Sequence, residues 1–416
     1  MSLDYDKMLF GPVYYDATDL RFNNRYKFFL SNQQLIEYKK YKQELLEKKE
    51  ENMISLALKT YNAKQLFYTV GEALTNLAET YLKIVLADLY KNDGTLVTRN
   101  YDDMIDARVY SELEGSMQIE NVPTTRTKLE QIRKGAAPQN KNEMIARNMI
   151  EAIDYIKTKP AFNKENLHRL YTILSRDCLE PEQELHGEYY RDGAIYIDKY
   201  EGCPVEKIDE CMNSLFDFAA KCIDGKEGNV HTDMLPHICH YYILYVHPYF
   251  DYNGRTARMV SLWISILSDS VGIAPLFISE AINDDKRKYY DALRETRDMD
   301  NDLTYFLIYI LNTAIRYSLV YRNLNEITSG LLKKGITVSH TESVYIKKIL
   351  LGADGYFDYK AFLVMANVDI SKQAALKALN KLAEYGVLSG IINDKKVKLF
   401  KLNDACVKYT NTKKIR

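Results

Sequence analysis

The sequence predicts a mainly α-helical protein with one short β-hairpin and a small α+β unit at its C-terminal end. Three observations lead to this fold class. Successive segments between residues 33 and 325 carry apolar side chains at helical spacing. Gly187–Ile197 places aromatic and β-branched runs around Asp192-Gly193, which is typical of a hairpin turn. Near the C-terminus, Val387–Ile391 and Val397–Leu402 alternate as strands do.

Length and composition set the broad class. The 416 residues suffice for roughly two to four domains, and 46% hydrophobic residues can bury a sizeable core. The 56 basic and 57 acidic residues leave a net charge of −1, so no general attraction to nucleic acid is expected. The six cysteines show neither a Cys-x-x-Cys pair nor the spacing of a disulfide framework, which favours free thiols in a reducing compartment.

The chain shows no targeting or membrane signal. Its first residues lack the basic and apolar regions of a secretory signal. No run approaches the roughly 18 uncharged apolar residues of a membrane span. We therefore expect a cytoplasmic protein without a membrane partner.

The first half of the chain is predicted to be mainly helical. Residues 1–64 are predicted to be an N-terminal helical extension, aromatic and irregular to residue 30 and helical over 33–60. A second helix is predicted over 65–91, and a third over Met104–Ile119. Helical patterns continue through Asn140–Lys157, Lys164–Leu174 and Pro204–Ala220.

The end of the third helix carries a charge in an unfavourable place. Ser116 and Glu120 are four residues apart and share a face. An acid at the C-terminal end opposes the helix dipole. This suggests that Glu120 has a cationic partner elsewhere in the chain.

The most chemically capable stretch is the loop His247–Arg258, between two apolar helical segments. His247 precedes a proline, which disfavours helical backbone, so the first helix should end there. Arg255 and Arg258 share a face in the first turn of the next helix, at the positive end of its dipole. Free backbone N–H groups, a glycine and two guanidinium groups together predict a polyphosphate site.

Two further side chains of this loop suit phosphate chemistry. A histidine with an ordinary pKa near ~6.5 suits a general base, which we assign to His247. Asp251 offers the hard oxygen ligand that Mg²⁺ requires. On these residues alone an ordinary helix-loop-helix corner remains open, with Asp251 or Asn253 as helix cap, Gly254 serving the turn and the arginines solvated.

The loop resembles the Fic (filamentation-induced-by-cAMP) motif, His-x-Phe-x-Asp/Glu-Gly-Asn-Gly-Arg-x-x-Arg. Tyr249 stands in place of the usual Phe, and Tyr252 in place of the usual small residue. Tyr252 lies in the anion-cradling turn, where a bulky side chain could tilt the phosphate contacts. Six residues match the motif: His247, Asp251, Asn253, Gly254, Arg255 and Arg258.

The resemblance implies a Fic-fold helical bundle over residues 65–328 that transfers AMP from ATP to a Ser, Thr or Tyr hydroxyl of a target protein. His247 would take the hydroxyl proton and Asp251 would hold Mg²⁺. The α- and β-phosphates would be cradled by Asn253, Gly254 and Arg255. Arg258 would take the γ-phosphate.

The same family has two further elements that this sequence matches. Ser116, Glu120 and Asn121 fit its inhibitory motif Ser/Thr-x-x-x-Glu-Gly/Asn, so a helix near 104–121 is predicted to brake the enzyme by pairing Glu120 with Arg258. The predicted hairpin resembles the family's flap, which holds the target segment as an added strand. The flap residues assigned to target docking are Tyr190, Arg191, Ile195 and Tyr196.

After the motif, further helices are expected at Ser279–Leu293 and Asp302–Tyr321, and a linker at Gly330–Gly335. Residues 336–405 then resemble a winged helix-turn-helix domain. From residue 371 to the end there are eleven basic and three acidic residues, a balance of +8. Such a distribution is typical of contact with the DNA backbone, and contact with a dimer or protein partner is the alternative for residues 336–416.

Two other functions remain open. The same site could remove AMP from a modified protein, with Glu120 orienting a water and His247 acting as acid. The chain could instead be a DNA-binding regulator with a residual Fic site, a reading that Tyr252 favours. The expected partners are a target-protein hydroxyl, the chain itself as a substrate, DNA and a second copy in a homo-oligomer. ATP is the expected substrate and Mg²⁺ the expected cofactor.

Overall fold

The computed structural model describes residues 53–70, 72–89, 101–197, 200–226, 230, 234–268, 278–284, 286–298 and 301–408. Nearly all of the predicted N-terminal extension and the basic residues after 408 lie outside these ranges. The chain divides into one compact unit that ends at Ala314 and a second that begins at Ile315.

The first described elements are strands, so the helices predicted over 33–60 and 65–91 are wrong over 53–59 and 65–69, whereas the second of them is present over Glu72–Leu89. β1 (Met53–Lys59) pairs antiparallel with β2 (Gln65–Thr69). Leu56 and Leu58 alternate with exposed neighbours and are buried, as are two apolar residues of β2. The alternation and the cross-strand pairing favour a strand over the helical propensity of the segment.

Apart from one more short hairpin and the connecting loops, the rest of the first unit that the structure describes is helical, which confirms the mainly α prediction. The helix predicted over Met104–Ile119 is present as α2 (Tyr101–Ile119). The next two helices are α3 (Arg126–Arg133) and α4 (Lys141–Lys157). The side chains of Thr125 and Asn140 cap their N-termini. The helices are α1 (Glu72–Leu89), α2 (Tyr101–Ile119), α3 (Arg126–Arg133), α4 (Lys141–Lys157), α5 (Lys164–Ser175), α6 (Val205–Ile223), α7 (Leu235–Val246), α8 (Asn253–Leu267), α9 (Ile278–Asp284), α10 (Lys286–Asp298) and α11 (Thr304–Lys333).

The helical pair α7 and α8 lies in the core. Almost every side chain of α7 is buried, and so is nearly the whole of α8. Trp263 of α8 is fully buried, packs edge-on against Phe162 with ring centroids 5.1 Å apart, and donates Nε1 to the Pro160 carbonyl at 2.9 Å. The loop that joins the two helices is therefore mounted on rigid supports.

The second unit has its own core around Ile346, Phe362, Leu379 and Phe400. Three helices are followed by an antiparallel hairpin, in the order predicted from the sequence. The identification as a winged helix stays a prediction. The elements are α12 (His340–Gly352), α13 (Tyr359–Ala366), α14 (Lys372–Glu384), β5 (Leu388–Ile392) and β6 (Lys398–Leu402).

The linker predicted at 330–335 is wrong for its first four residues, because α11 continues to Lys333. Leu324, Ile327 and Leu331 of α11 are buried in the core of the second unit. The helix thus continues past Gly330. The structure divides the chain at 314/315, earlier than the boundary predicted between 328 and 336. Among the described residues, no helix combines the length and apolar character that a membrane crossing requires.

Candidate functional site

The loop between α7 and α8 is closed at both ends by left-handed backbone. His247 follows α7 with φ 54° and ψ 63°, and its N–H donates to the Ile243 carbonyl at 2.8 Å. Tyr252 precedes α8 with φ 66°. Each such residue costs roughly 1–2 kcal/mol, which the packing of the two helices must offset. The helix end predicted at His247 is confirmed.

Asn253 holds this loop together from inside. Its Oδ1 accepts from the Tyr249 N–H at 3.0 Å, and its Nδ2 donates to the Tyr249 carbonyl at 2.7 Å. The Tyr249 ring is fully buried and stacks on Tyr171 at 3.7 Å. The side chain of Asn253 is thus committed to the loop, and only its backbone is available to an anion.

Arg191 lies before the strand β3 (Tyr196–Ile197) and connects that segment to the same loop by hydrogen bonds. Its backbone N–H donates to the Pro248 carbonyl at 2.9 Å, and Nε donates to the His247 carbonyl at 2.8 Å. Nη1 donates to the Gly193 carbonyl at 2.6 Å and Nη2 to the Cys203 carbonyl. Arg191 is only 2% exposed, and each of its three guanidinium nitrogens donates to a backbone carbonyl. Arg191 therefore positions the His247 backbone, a role that the sequence did not reveal.

The hairpin turn predicted at Asp192-Gly193 is wrong. The strands are β3 (Tyr196–Ile197) and β4 (Tyr200–Glu201), so the turn lies later in the chain. The reason is that this segment bonds elsewhere: the Arg191 N–H donates to the Pro248 carbonyl and the Arg191 guanidinium takes the Gly193 carbonyl, so neither backbone group pairs with a strand. Tyr190 is only 9% exposed, whereas the Tyr196 side chain is 76% exposed. Of the four residues assigned to docking, Tyr196 and the partly exposed Ile195 can meet a bound segment directly.

His247 is held in one tautomer and in its neutral form. Nδ1 lies 3.3 Å from the Leu244 carbonyl, which can only accept, so Nδ1 carries the proton and Nε2 has a free lone pair. Burial lowers the pKa of His247 to about 4, although the Leu244 carbonyl acts against this shift. The imidazole is thus an available proton acceptor throughout the neutral range.

The N-terminus of α8 offers unused backbone donors. The first bond of the helix runs from the Thr256 N–H to the Tyr252 carbonyl at 2.8 Å. The N–H groups of Asn253, Gly254 and Arg255 precede it and have no partner within the helix. Together with the helix dipole they give this end of α8 the partial positive charge that favours an anion.

Tyr252 does not obstruct this anion site. Its side chain is 2% exposed and does not line the cavity in front of the loop. The Arg255 guanidinium stacks on its ring, with 3.5 Å between the guanidinium carbon and the ring centroid. Tyr252 therefore replaces a small residue by turning inward, and it engages Arg255 as a cation–π partner.

Glu120 and Arg258 meet, as their misplaced charges suggested. Arg258 Nη2 donates to Glu120 Oε1 at 2.7 Å, and Arg258 Nε donates to Ser116 Oγ at 2.8 Å. The guanidinium of Arg258 is thus shared between Glu120 and Ser116, and its contact with Glu120 is a single hydrogen bond rather than a bidentate pair. Burial by itself would raise the pKa of Glu120, but Arg258 outweighs it and lowers that pKa.

Gly254 is required for this arrangement. A Cβ at Gly254 would lie 2.7 Å from Glu120 Oε1 and 3.2 Å from Arg258 Nη1. Any side chain here would displace the carboxylate. The glycine therefore permits both the close approach of Glu120 and the approach of an anion to α8.

Asp251 is the acidic residue of the loop, and its side chain is partly exposed. Its side chain is 38% exposed, with Oδ1 accepting from the Tyr252 N–H at 2.6 Å and Oδ2 from Gln183 Nε2 at 3.2 Å. Oδ1 also lies 3.7 Å from Arg255 Nη2, and the exposed part of the carboxylate can still accept from a further group. A single accessible carboxylate fits Mg²⁺ that is also held by substrate phosphates.

These groups surround one cavity of about 400 Å³. Predicted residues on its wall are His247, Asp251, Asn253, Gly254, Arg258 and Glu120, whereas Arg255, Ser116, Tyr190, Arg191, Ile195 and Tyr196 do not line it. Sequence reasoning missed the wall contributed by α10: Tyr289, Tyr290, Leu293, Arg294 and Arg297. The sequence signal that could have identified this wall is an amphipathic helix with two adjacent tyrosines and two arginines three residues apart.

Comparison with known proteins agrees with the motif. Residues 161–265 match the model of the Fic/DOC family. A Fic family protein from Desulfovibrio desulfuricans G20 is 17% identical, with 81% of this chain and 98% of that chain covered and a TM-score of 0.48. Fic-1 from C. elegans is 15% identical, with 64% and 73% covered and a TM-score of 0.45. No curated protein matches the chain.

Proposed function

The chain carries a Fic/DOC family domain at residues 161–265, and on that premise we propose that it is a protein adenylyltransferase, which transfers AMP from ATP to a hydroxyl side chain. One observation carries the proposal. A single cavity brings together neutral His247, the accessible carboxylate of Asp251 and the N-terminus of α8. Base, metal ligand and anion site are the parts that phosphoryl-type transfer requires.

The triphosphate is bound mainly by backbone in this proposal. The N–H groups of Gly254 and Arg255 face the anion at the start of α8, where the helix dipole is favourable. Asn253 and Arg255 act through their side chains only indirectly, since these are engaged with Tyr249 and Tyr252. Arg258 becomes a phosphate ligand once it is released from Glu120.

His247 performs the proton transfer. The target hydroxyl oxygen attacks the α-phosphorus, and its proton passes to Nε2 of His247. The bond between the α-phosphorus and the bridging oxygen to the β-phosphate breaks, and pyrophosphate leaves. When bound, Mg²⁺ neutralises charge on the phosphate oxygens. Arg191 fixes the His247 carbonyl, so the imidazole keeps its aim during the step.

Labelled ATP tests this proposal. The natural chain, His247→Ala and Glu120→Gly are each incubated with ATP labelled in the α-phosphate and with lysate proteins. We expect label on protein with the natural chain, more with Glu120→Gly and none with His247→Ala. Absence of label from all three, with ATP bound by the chain, would refute AMP transfer.

Asp251→Ala should raise the Mg²⁺ concentration needed for half-maximal labelling by about tenfold or more, because the site has few protein ligands to compensate. The measurement is a Mg²⁺ titration of the labelling rate. Asp217→Ala, which removes an exposed carboxylate of α6 that does not line the cavity, serves as control and should titrate as the natural chain does. An unchanged titration for Asp251→Ala would exclude Asp251 as the ligand.

Removal of AMP is a second candidate, favoured by Glu120. Its carboxylate lines the same cavity as His247, and its lowered pKa keeps it ionised. An ionised carboxylate at that point could orient a water towards a phosphorus atom. Release of AMP from a labelled protein by the natural chain, and its loss in Glu120→Gly, would support this direction.

DNA binding by the second unit is a separate proposal. Lysines that already pair with a carboxylate are poorer candidates for DNA contact, which reduces the set of candidate residues. Lys381 pairs with Glu342 at 2.6 Å and Lys401 with Asp404 at 3.1 Å. Within the part of the chain that the structure describes, exposed lysines without a carboxylate partner remain on α14 and in the turn between β5 and β6. They include Lys377, Lys395 and Lys396.

The full chain should shift duplex DNA at low salt, with an affinity that falls steeply as salt rises. Replacing Lys377, Lys395 and Lys396 together by Gln should reduce the slope of log affinity against log salt by about 0.9 for each phosphate that is no longer neutralised. The check is a mobility-shift titration at several salt concentrations. No shift at low salt would favour a protein partner for this unit instead.

A further inference from the structure

The last turn of α2 is held by one lysine from α10. Lys286 Nζ donates to the Gln118 carbonyl at 2.7 Å, to the Ile119 carbonyl at 2.9 Å and to Asn121 Oδ1 at 3.3 Å. These carbonyls are among those that a helix leaves unpaired at its C-terminal end. A cation there also complements the negative end of the helix dipole. The end of α2 also has a backbone cap, since the Asn121 N–H donates to the Gln118 carbonyl at 3.1 Å and the Val122 N–H to the Met117 carbonyl at 2.9 Å. Lys286 adds to this cap the positive charge that the last turn of α2 lacks, because that turn has no basic residue.

The body of α2 is held separately by α9. Glu112 accepts from the Ser279 N–H at 3.0 Å and from the Ser279 hydroxyl. Gly115 is so close to α9 that an added Cβ would lie 2.5 Å from the Glu280 nitrogen. These contacts lie one to two turns before Glu120. In the final turn α9 contributes one further contact, from Asn283 Nδ2 to Gln118 Oε1 at 2.7 Å, whereas Lys286 contacts the backbone there.

Glu120 depends on that final turn. It lies directly after the last residue of α2, and Asn121 then turns the chain with φ 57°. The N–H of Glu120 donates to the Met117 carbonyl at 3.1 Å, so Glu120 moves with the last turn. We propose that Lys286 is a positioning residue, which fixes the end of α2 and thereby sets Glu120 against Arg258.

The charges point the same way. Glu120 is an acid at the negative end of α2, which would by itself loosen that end. Lys286 offsets this charge and is one of the cations that lower the pKa of Glu120. Without Lys286 the last turn keeps its backbone cap but loses the hydrogen bonds of the ammonium group and the compensating charge, so the population with Glu120 withdrawn from Arg258 should grow.

Hydrogen exchange tests the positioning role without any assay of activity. Lys286→Met should exchange the amides of Glu120, Asn121 and Val122 about threefold to tenfold faster than the natural chain. Lys286→Arg should restore slow exchange, because it keeps the charge and several donors. Arg287→Met, next to Lys286 on α10 and 90% exposed in its side chain, is the matched control and should leave exchange unchanged. Unchanged exchange in Lys286→Met would overturn the proposal.

Labelling then tests whether the position of Glu120 is what Lys286 controls, a step that rests on the proposed AMP transfer. Lys286→Met should raise labelling about threefold to tenfold through kcat, less than Glu120→Gly does. In the Glu120→Gly background, Lys286→Met should have no further effect, because the residue it positions is gone. A loss of labelling in that background would overturn the proposal, since Lys286 would then be needed for the nucleotide. If Glu120→Gly itself gives no label, AMP transfer fails, while faster exchange in Lys286→Met still supports the positioning role.

Discussion

Replacing Glu120 by Gly should raise labelling of targets and of the chain itself on the order of a hundredfold. Arg258 is 4% exposed, and its Nη2 is occupied by Glu120 Oε1 at 2.7 Å. With that donor occupied, the triphosphate loses a partner and its α-phosphate lies out of line. A displacement of about 1 Å can cost on the order of a hundredfold in rate. The measurement is the initial rate of label incorporation from ATP.

Two further variants separate the brake from a general loosening of the helix end. Ser116→Ala should raise labelling only weakly, because it removes the acceptor of Arg258 Nε and leaves Glu120 in place. Arg258→Ala should be inactive even in the Glu120→Gly background, since the same guanidinium is needed for the triphosphate. Labelling by Glu120→Gly at the natural level would contradict the brake.

The brake should hold across the neutral pH range. Because the pKa of Glu120 is lowered in the folded chain, its ion pair with Arg258 is fully present above the ordinary carboxyl value of roughly 4.3. It weakens only as pH falls through the lowered value. Release of the brake at neutral pH therefore requires movement of α2 rather than protonation of Glu120.

His247→Ala should lower the rate of AMP transfer by on the order of a hundredfold to ten-thousandfold, while ATP still binds. The backbone donors of α8 and Arg258 remain in this variant, so the dissociation constant for ATP should change little. The measurement pairs labelling with nucleotide titration, in the Glu120→Gly background where the rate is high. His186→Ala removes an exposed histidine and should behave as its parent. Transfer at the parent rate by His247→Ala would exclude it as the base.

The pH profile gives an independent check on His247. Only the neutral imidazole can accept a proton, and burial lowers its pKa to about 4. The base form therefore persists as pH falls below the ordinary value of roughly 6.5. The acid limb of the rate, measured in the Glu120→Gly variant, should centre near the lowered pKa of about 4. A midpoint near the ordinary value of roughly 6.5 would show that His247 is more hydrated than its burial indicates.

The chain by itself determined the features that depend on local sequence. The proline after His247 predicts where α7 ends, because its ring excludes helical backbone before it. The spacing of Ser116 and Glu120, and their place at a helix end, predicted a cationic partner from dipole physics alone. In the structure that partner is Arg258, whose guanidinium donates to both Ser116 and Glu120.

Other features depend on contacts between segments far apart in the chain, and only the tertiary structure decided them. The sequence assigned Arg191 to target docking. In the structure it is buried, and its N–H groups donate to backbone carbonyls, among them that of His247, 56 residues away in the sequence. Lys286 looks like any charged helix residue until α10 lies beside the end of α2. The lowered pKa of His247 likewise arises from burial, which no local pattern reports. Hydrogen bonds and desolvation between distant segments set these roles, because both depend on which groups the fold removes from water.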